Sequence, residues 1–421
     1  MHVAHFIQRY PPALGGSEAY FGRLSRWRRD QGDEVTVWTS TAIDLSAFWS
    51  STGRQLRPGT TFEDGITIRR YQPSHWFARR HFLRLLSYLP SAPVQCLTMT
   101  CNPVALRMMY DAAAFEGPCD LVHASALPYG WPLYCALTLA RRKQVPFFFT
   151  PFLHLGNTDD PSDRTRRIYT SKPMRYLMHA ADMLFVQTRT EAEAIRMLGV
   201  PDERITLQGL GVDADECTGG DRATARQRWN ISNSDCVIGH LANLSPPKGT
   251  IDLLRAARTA WANGANFRVV LAGPEMPEFR RFWQSFEPKQ RVVKLGVISD
   301  CQKRDFLAGI DGFCLPSRSD SFGLVLLEAW ANGKPTIGYR TGAIGELIQH
   351  GDDGLLARCG DIESLADKLT QIERDPHRAQ AMGEVGRKRT EWEFRWEDKL
   401  RVVDGMIEMT FDRAGSTTQR Y

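Results

Sequence analysis

What most constrains this chain is a rhythm. Short apolar runs alternate with longer amphipathic segments, and the alternation is played twice. In the first half the strand-like runs fall at 2–7, 35–38, 66–70, 121–123, 147–150, 184–187 and 205–207, with helical patterns such as 18–31 and 190–198 between them. Strand–helix alternation implies a parallel sheet covered by helices. The rhythm breaks at 210–222, where Gly211, Gly219 and Gly220 mix with acidic residues and little apolar content, the composition of a linker. It restarts at 237–241, 269–272, 292–295, 313–315 and 336–339, with helices predicted over 251–262 and 322–331. In the tail, Trp392, Trp396, Leu400, Val403 and Met406 stand at helical spacing over 391–411, and beyond Arg413 small polar residues suggest fraying. The expectation is an α/β protein with two Rossmann-like domains facing across a cleft: domain one over 1–210, a linker over 211–222, domain two over 223–391 and a terminal helix over 392–413.

Size and composition agree. At 421 residues the chain is too long for one ordinary core and comfortable for two. Its 43% hydrophobic and 24% charged residues are the balance of a soluble globular protein. No apolar run approaches the roughly 18–20 residues of a spanning helix. The opening residues lack the basic-then-apolar pattern of a signal peptide. Nine cysteines without a Cys-x-x-Cys pair argue against a disulfide framework or zinc cage, and fit a reducing cytoplasm. The net charge of +5 is unevenly placed: 66–110 holds six arginines (Arg69, Arg70, Arg79, Arg80, Arg84, Arg107) and no Asp, Glu or Lys. That stretch reads either as a solvated face or as a surface for anionic lipid or an anionic acceptor.

In open parallel sheets ligands bind at the carboxyl ends of the strands, so the segments just after strands are where chemistry is sought. Gly15 and Gly16 open a helix after the first strand. They allow close backbone approach and free N–H groups for an anion, or simply a tight turn. Lys248, in Leu244–Ser245–Pro246–Pro247–Lys248–Gly249, sits ahead of a helix where a cation can reach a diphosphate; most exposed lysines are only solvated charges. The run Pro316–Ser317–Arg318–Ser319–Asp320–Ser321–Phe322–Gly323–Leu324 leads into a helix that carries Glu328. Asp320 lies in the turn and Glu328 about two helical turns later, so they can meet different parts of one extended ligand. The N–H groups of Gly323, Leu324 and Val325 are donors without intrahelical partners. Taken alone, an acid two turns into a helix is more often a salt-bridge partner. His154 follows the run at 147–150, where a ligand contact competes with a hydrogen-bonded loop histidine. His5 and His123, on strands, read as structural.

The run 317–333 resembles the signature of glycosyltransferase family 4, a Glu-x7-Glu pattern around Ser-Phe-Gly. Lys248–Gly249 resembles that family's Ser-Pro-x-Lys-Gly turn, and Gly15–Gly16–Ser17–Glu18 its first-domain glycine loop. Residues 209–213 resemble its Gly-Val-Asp, and 342–346 with 351–355 its tail motif. The matches run in order along essentially the whole chain. Three positions depart: Asp320 replaces the first glutamate, Asn243 stands where many members place an arginine beside the diphosphate, and Ala343 replaces a glycine.

The resemblance implies the GT-B fold, with the donor bound mainly by the second domain, the acceptor by the first, and the terminal helix crossing back. It implies a retaining transfer of sugar from a nucleotide-diphosphate sugar to a hydroxyl, with a glycan or lipid-linked saccharide of polysaccharide biosynthesis as acceptor. Lys248 and the 323–325 helix start, with Ser321, Phe322 and Asn243 beside them, would meet the diphosphate. Glu328 would hold the ribose, Asp320 the sugar hydroxyls, His154 the sugar from the other side, and Gly296–Val297 the base. No metal or other cofactor is expected, since no Asp-x-Asp sits at a strand end and Asp352–Asp353 lies in a glycine-flanked turn. Two other readings stand beside this one: a nucleotide-sugar epimerase or hydrolase on the same fold, and a non-catalytic nucleotide-sugar-binding subunit, which Asn243 and Asp320 would suit.

Nucleic acid is not an expected partner. The expected place is the cytoplasm, with peripheral contact on the inner face of an anionic membrane through 66–110. Within it, 76–89 mixes aromatics, leucines and arginines at helical spacing. Arg80 and Arg84 share one face, with Arg79 beside them, while Phe82, Leu85, Leu86 and Leu89 share another. The competing expectation packs the apolar face on the first-domain core.

Overall fold

The computed structural model describes residues 1–157, 160 and 162–418. Among these residues the strands are β1 (His2–Phe6), β2 (Glu34–Ser40), β3 (Gly59–Glu63), β4 (Ile66–Tyr71), β5 (Leu121–Ala124), β6 (Phe147–Phe149), β7 (Met183–Val186), β8 (Ile205–Leu207), β9 (Cys236–Leu241), β10 (Phe267–Ala272), β11 (Val292–Gly296), β12 (Gly312–Leu315), β13 (Thr336–Tyr339) and β14 (Gly354–Ala357). They form two sheets, ordered β3-β4-β2-β1-β5-β6-β7-β8 and β11-β10-β9-β12-β13-β14. Every pairing is parallel except β3 with β4.

The chain divides into two compact units. The first comprises Met1–Leu153, Arg167–Gln208 and the chain from Leu400 on; the second comprises His154–Arg166 and Gly209–Lys399. In the first unit the central strands are apolar on both faces, as a sheet sandwiched by helices requires. Phe6 stacks on Trp38 and Trp38 on Tyr71, with ring centroids 5.1 and 5.8 Å apart. His5 and His123 lie opposite each other in β1 and β5, 1% exposed. His5 Nδ1 meets Ser25 Oγ at 2.8 Å, and His123 Nε2 meets Thr150 Oγ1 at 2.8 Å. Burial, then Arg28, pushes His5 down to about 3, so it is a neutral core residue.

In the second unit β9, β10, β12 and β13 bury Ile238, Val269, Leu271, Cys314 and Ile337 against the helices Thr250–Ala262 and Ile362–Arg374. The strand order reverses between β9 and β12, which marks their carboxyl ends as the ligand crevice of such a sheet.

The sequence pattern differs from the structure in four places. It omits β3, an exposed edge strand, and the four-residue β14. The expected tail helix over 392–413 starts later, at Trp396, and Trp392 instead ends a preceding helix: the two are Pro376–Trp392 and Trp396–Thr418. They part because the Phe394 carbonyl turns out to accept the Val212 N–H at 2.7 Å, leaving the Phe394 ring buried against Phe322 and Trp330. The second of them continues past Arg413 to Thr418, and 419–421 lie outside the described residues. The expected linker contains a helical turn, Ala214–Cys217. Finally, His154–Arg166 packs with the second unit rather than with the first, to which its position in sequence assigned it.

Candidate active site

Two loops build the site, one after β9 and one after β12. Each ends in a glycine that caps a helix: Gly249 at φ 72° before Thr250–Ala262, and Gly323 at φ 94° before Leu324–Ala331. Both need glycine, because other residues rarely adopt positive φ. A Cβ at Gly249 would also stand 1.9 Å from the Pro316 carbonyl oxygen, so the loops touch backbone to backbone there. Three further ties hold them. Ser317 Oγ donates to the Pro247 carbonyl at 3.2 Å, Arg318 N–H donates to the same oxygen at 2.9 Å, and Arg318 grips the buried Asp252 carboxylate at 2.7 and 2.9 Å.

His240 braces the floor. Its Nδ1 lies 2.8 Å from the Cys314 carbonyl and its Nε2 2.9 Å from Thr250 Oγ1. A carbonyl only accepts, so Nδ1 carries the proton and Nε2 accepts the Thr250 hydroxyl; Thr250 Oγ1 in turn accepts the Ser245 N–H at 3.1 Å. Burial leads in holding the ring neutral, at about 4, and Lys248 adds to it against the Cys314 carbonyl.

This frame brings Lys248 and Asp320, 72 residues apart, to an Nζ–Oδ2 distance of 2.6 Å. The lysine is 28% exposed and the aspartate 11%. Burial pushes the Asp320 carboxyl up, but Lys248, His154 and the Phe322 N–H together outweigh it and hold the group below the usual carboxylate range. His154 joins through Ser319: its Nδ1 is 3.3 Å from Ser319 Oγ, which also accepts the Gly156 N–H at 3.2 Å. Burial first, then the Lys248 charge, push the imidazole down to about 4 against the pull of Asp320. At neutral pH Asp320 is therefore a carboxylate and His154 a neutral imidazole.

The N–H groups of Gly323, Leu324 and Val325 have no backbone acceptor among the described residues and leave the helix start open to an anion. Phe322 is different: its side chain is buried in the core and only its backbone faces the loop. Glu328, five residues into that helix, receives Lys303 Nζ at 2.8 Å, both half-buried. Asn243 is exposed beside the β9 loop, and its carbonyl accepts Ser245 Oγ. Gly296, at φ 70°, and the exposed Val297 end β11. Thus Lys248, Asp320 and His154 cluster, joined by the open helix start.

Gly15 and Gly16 belong to the first unit. They are exposed, at the start of Gly16–Asp30, and a Cβ on Gly15 would meet Glu18 Oε2 at 2.1 Å. Asp353, in the glycine-flanked turn, is buried beneath Trp330, pairs with Arg389 and accepts the Gln349 N–H. Among the described residues no cluster of three His, Cys, Asp or Glu side chains could hold a metal ion, and no helix is long and apolar enough to cross a membrane. None of the nine cysteines is in a disulfide. Sequence reasoning missed His240, Asp252 and Lys303, none of which carries a local motif, and gave no role to Ser319 although it lies within the run 317–333.

Two family profiles match the chain: a glycosyl transferase 4-like domain over 15–211 and glycosyl transferases group 1 over 221–389. N-acetyl-alpha-D-glucosaminyl L-malate synthase of Bacillus anthracis is 35% identical over 178 residues, 42% of this chain and 46% of that protein. D-inositol 3-phosphate glycosyltransferase 2 of Catenulispora acidiphila is 26% identical over 410 residues, covering 91% of this chain and 88% of its own length. Among solved structures, sucrose-phosphate synthase from Thermosynechococcus elongatus aligns with a TM-score of 0.76 at 20% identity, over 98% of this chain and 99% of that one. At that identity the likeness speaks for the fold.

Proposed function

The chain belongs to glycosyltransferase family 4 and has the GT-B fold, and from that premise we propose that it moves a hexosyl group from a nucleotide-diphosphate sugar to a hydroxyl acceptor, with retention of configuration and without a metal. The observation that carries this reading is the Lys248–Asp320 pair at the carboxyl ends of β9 and β12, beside an open helix N-terminus.

In this reading the donor diphosphate takes Lys248 as counter-ion and rests on the N–H groups of Gly323, Leu324 and Val325, with the backbone of Ser321 and Phe322 and the side chain of Asn243 alongside. Asp320, released from Lys248, accepts sugar hydroxyls. His154, neutral at pH 7, bonds another. Glu328 takes the ribose hydroxyls, held in place by Lys303; Gly296 and Val297 line the base. The bond from the anomeric carbon to the β-phosphate oxygen breaks and its electron pair stays on the phosphate. The acceptor oxygen bonds the carbon on the same face, and its proton passes to the departing phosphate oxygen. No protein nucleophile is needed, and the protein's task is to stabilise the charge that grows on the leaving group. Lys248 and the helix dipole supply that positive potential, which is why no divalent ion is invoked.

For the acceptor, we read a glycan or a lipid-linked saccharide. The names of the two relatives support a second class: malate and inositol 3-phosphate both join a hydroxyl to anionic groups. Incubation with UDP-, GDP- and ADP-sugars, an acceptor panel of both kinds and excess EDTA tests the whole reading. The expected outcome is one donor consumed, an α-linked product from an α-linked donor by NMR, and a rate unchanged by EDTA. Donor breakdown to free sugar with every acceptor would point to the hydrolase reading. No turnover with any donor would leave a binding subunit. Activity abolished by EDTA and restored by Mg²⁺ would end metal independence.

A further inference from the structure

The six arginines of 66–110 fall into two sets. Arg69 lies over the rings of Trp38 and Phe115, at 4.9 and 5.0 Å. Arg70 is buried on Glu63, and Arg107 pairs with Asp111 at 2.7 Å. Arg79, expected on the basic face, is instead 4% exposed, with its guanidinium on the Asn102 carbonyl. The cause is geometric: Arg79 and Leu83 are one turn apart, and both face inward. Arg80 and Arg84 are exposed, and among the described residues neither side chain has a hydrogen bond or ion pair.

Beside these two cations lies apolar surface without cover. Phe77 is 99% exposed, Tyr88 73%, Leu85 68%, Phe82 52% and Leu89 48%. Isolated exposed apolar side chains are ordinary, but a run of large ones within a single short segment marks an interaction site. With Arg79 and Leu83 turned inward, the advance of about 100° per residue sets Phe82 and Leu85 on one outer flank of Arg79–Leu86 and Arg80 and Arg84 on the other. So the packing of the apolar face on the core, one of the two expectations, does not occur for these residues.

We propose that 76–89 is a docking surface for an anionic lipid bilayer. Phe77, Phe82, Leu85 and Leu89 enter the boundary between headgroups and acyl chains, and Tyr88 and Trp76 sit at the headgroup level. Arg80 and Arg84 bury their stems and reach lipid phosphates. The charge pattern selects this occupant over a second copy of the chain. Self-association through this face would set Arg80 and Arg84 against their own equivalents, and 66–110 offers no acid to pair with them. This proposal does not depend on the donor chemistry.

The test is flotation of the full chain with phosphatidylcholine vesicles and with phosphatidylcholine–phosphatidylglycerol vesicles. Binding is expected to the anionic vesicles, weakly to the neutral ones, and to fall as salt screens the attraction. R80S/R84S should lower partitioning about twenty-five-fold, at roughly fivefold for each arginine near an anionic surface. F77S/F82S/L85S should remove binding to both vesicle types. Both variants change exposed residues, so an unaltered thermal melt and donor turnover are expected. No flotation at low salt, flotation unchanged in both variants, or a concentration-dependent dimer lost in the apolar variant would each overturn the proposal.

Discussion

The loop after β1 and the loops after β9 and β12 are assembled from the same parts: a strand end, a glycine, a helix start, an acid and a base. They come to different ends. In the first unit Glu18 is 2% exposed and accepts Arg9 Nε at 2.8 Å, Gln8 Nε2 at 3.2 Å and Ser17 Oγ at 2.9 Å. Arg9 gives its remaining donors to the Ile43 and Leu14 carbonyls. Those charges answer one another below the surface. In the second unit the acid and base also meet, but only the acid is buried: Asp320 is 11% exposed, while Lys248 keeps 28% of its side chain in solvent and the adjoining helix start stays open. A buried pair fixes a backbone; a half-buried pair can be exchanged for a ligand.

The sharpest way to break that contrast is to remove each pair in turn. Lys248→Ala or Glu328→Gln should lower the turnover of the folded fraction at least about a hundredfold, the scale of an oriented electrostatic contact; Glu328→Gln should leave the urea midpoint near that of the parent, whereas Lys248→Ala also lowers it, because Asp320, 11% exposed, loses its counter-charge. Near-parental rates in both folded variants would sink the assignment of the site. Glu18→Gln should do the reverse. It leaves Arg9 buried without its counter-charge, a loss of about 3–5 kcal/mol of stability by urea unfolding, larger than its effect on the turnover of the folded fraction. A midpoint shift below about 1 kcal/mol would show that the buried pair holds nothing in place.

A smaller effect follows from pH. His5 and His240 sit in different units, yet burial holds both far below the ordinary histidine value of 6.5, at about 3 and about 4. The unfolded chain therefore binds protons that the folded one refuses. Their contribution is complete above about pH 6.5 and is lost as pH falls through 6.5 toward 4, on the order of 3 kcal/mol for His240. Asp353 acts the other way: burial, partly offset by Arg389, raises it to about 6, so it costs stability as pH rises from 3.8 toward 6. The histidines should win, and unfolding midpoints should drop steadily below about pH 6.5. A flat profile there would show that the imidazoles are protonated in the folded state.

Much of this was legible beforehand, and the gaps have physical causes. Parallel strands buried on both faces announce themselves as apolar runs, so β1, β9 and β13 stand out. By contrast β3, Gly-Thr-Thr-Phe-Glu, is exposed throughout and pairs only at an edge, so nothing in its composition demands burial. β14 has four residues, too few for a period to show. Lys248 and Asp320 could be picked out because each follows a strand end, and Glu328, inside a helix, because of the spacing that the run 317–333 shares with the family. The partners that set their state could not. Lys303 lies 25 residues from Glu328, on another helix, and Ser319 reaches His154 across 165 residues. Arg79 misleads for a related reason, since sequence gives the helical face of a residue and not which face turns inward.

The Pro247 carbonyl oxygen accepts both the Ser317 hydroxyl and the Arg318 amide. One atom thus sets the spacing of two loops, with both of its lone pairs engaged. An inserted or deleted residue in either loop would strand the Arg318 amide, while the Ser317 hydroxyl could fall back on the Ser319 carbonyl at 3.0 Å, so the lengths of the two segments are coupled through that amide. Attempts to retune the enzyme toward another donor are better directed at side chains on this frame than at its loop lengths. Position 243 is the natural starting point: it is exposed, and among the described residues its side chain makes no hydrogen bond to the frame.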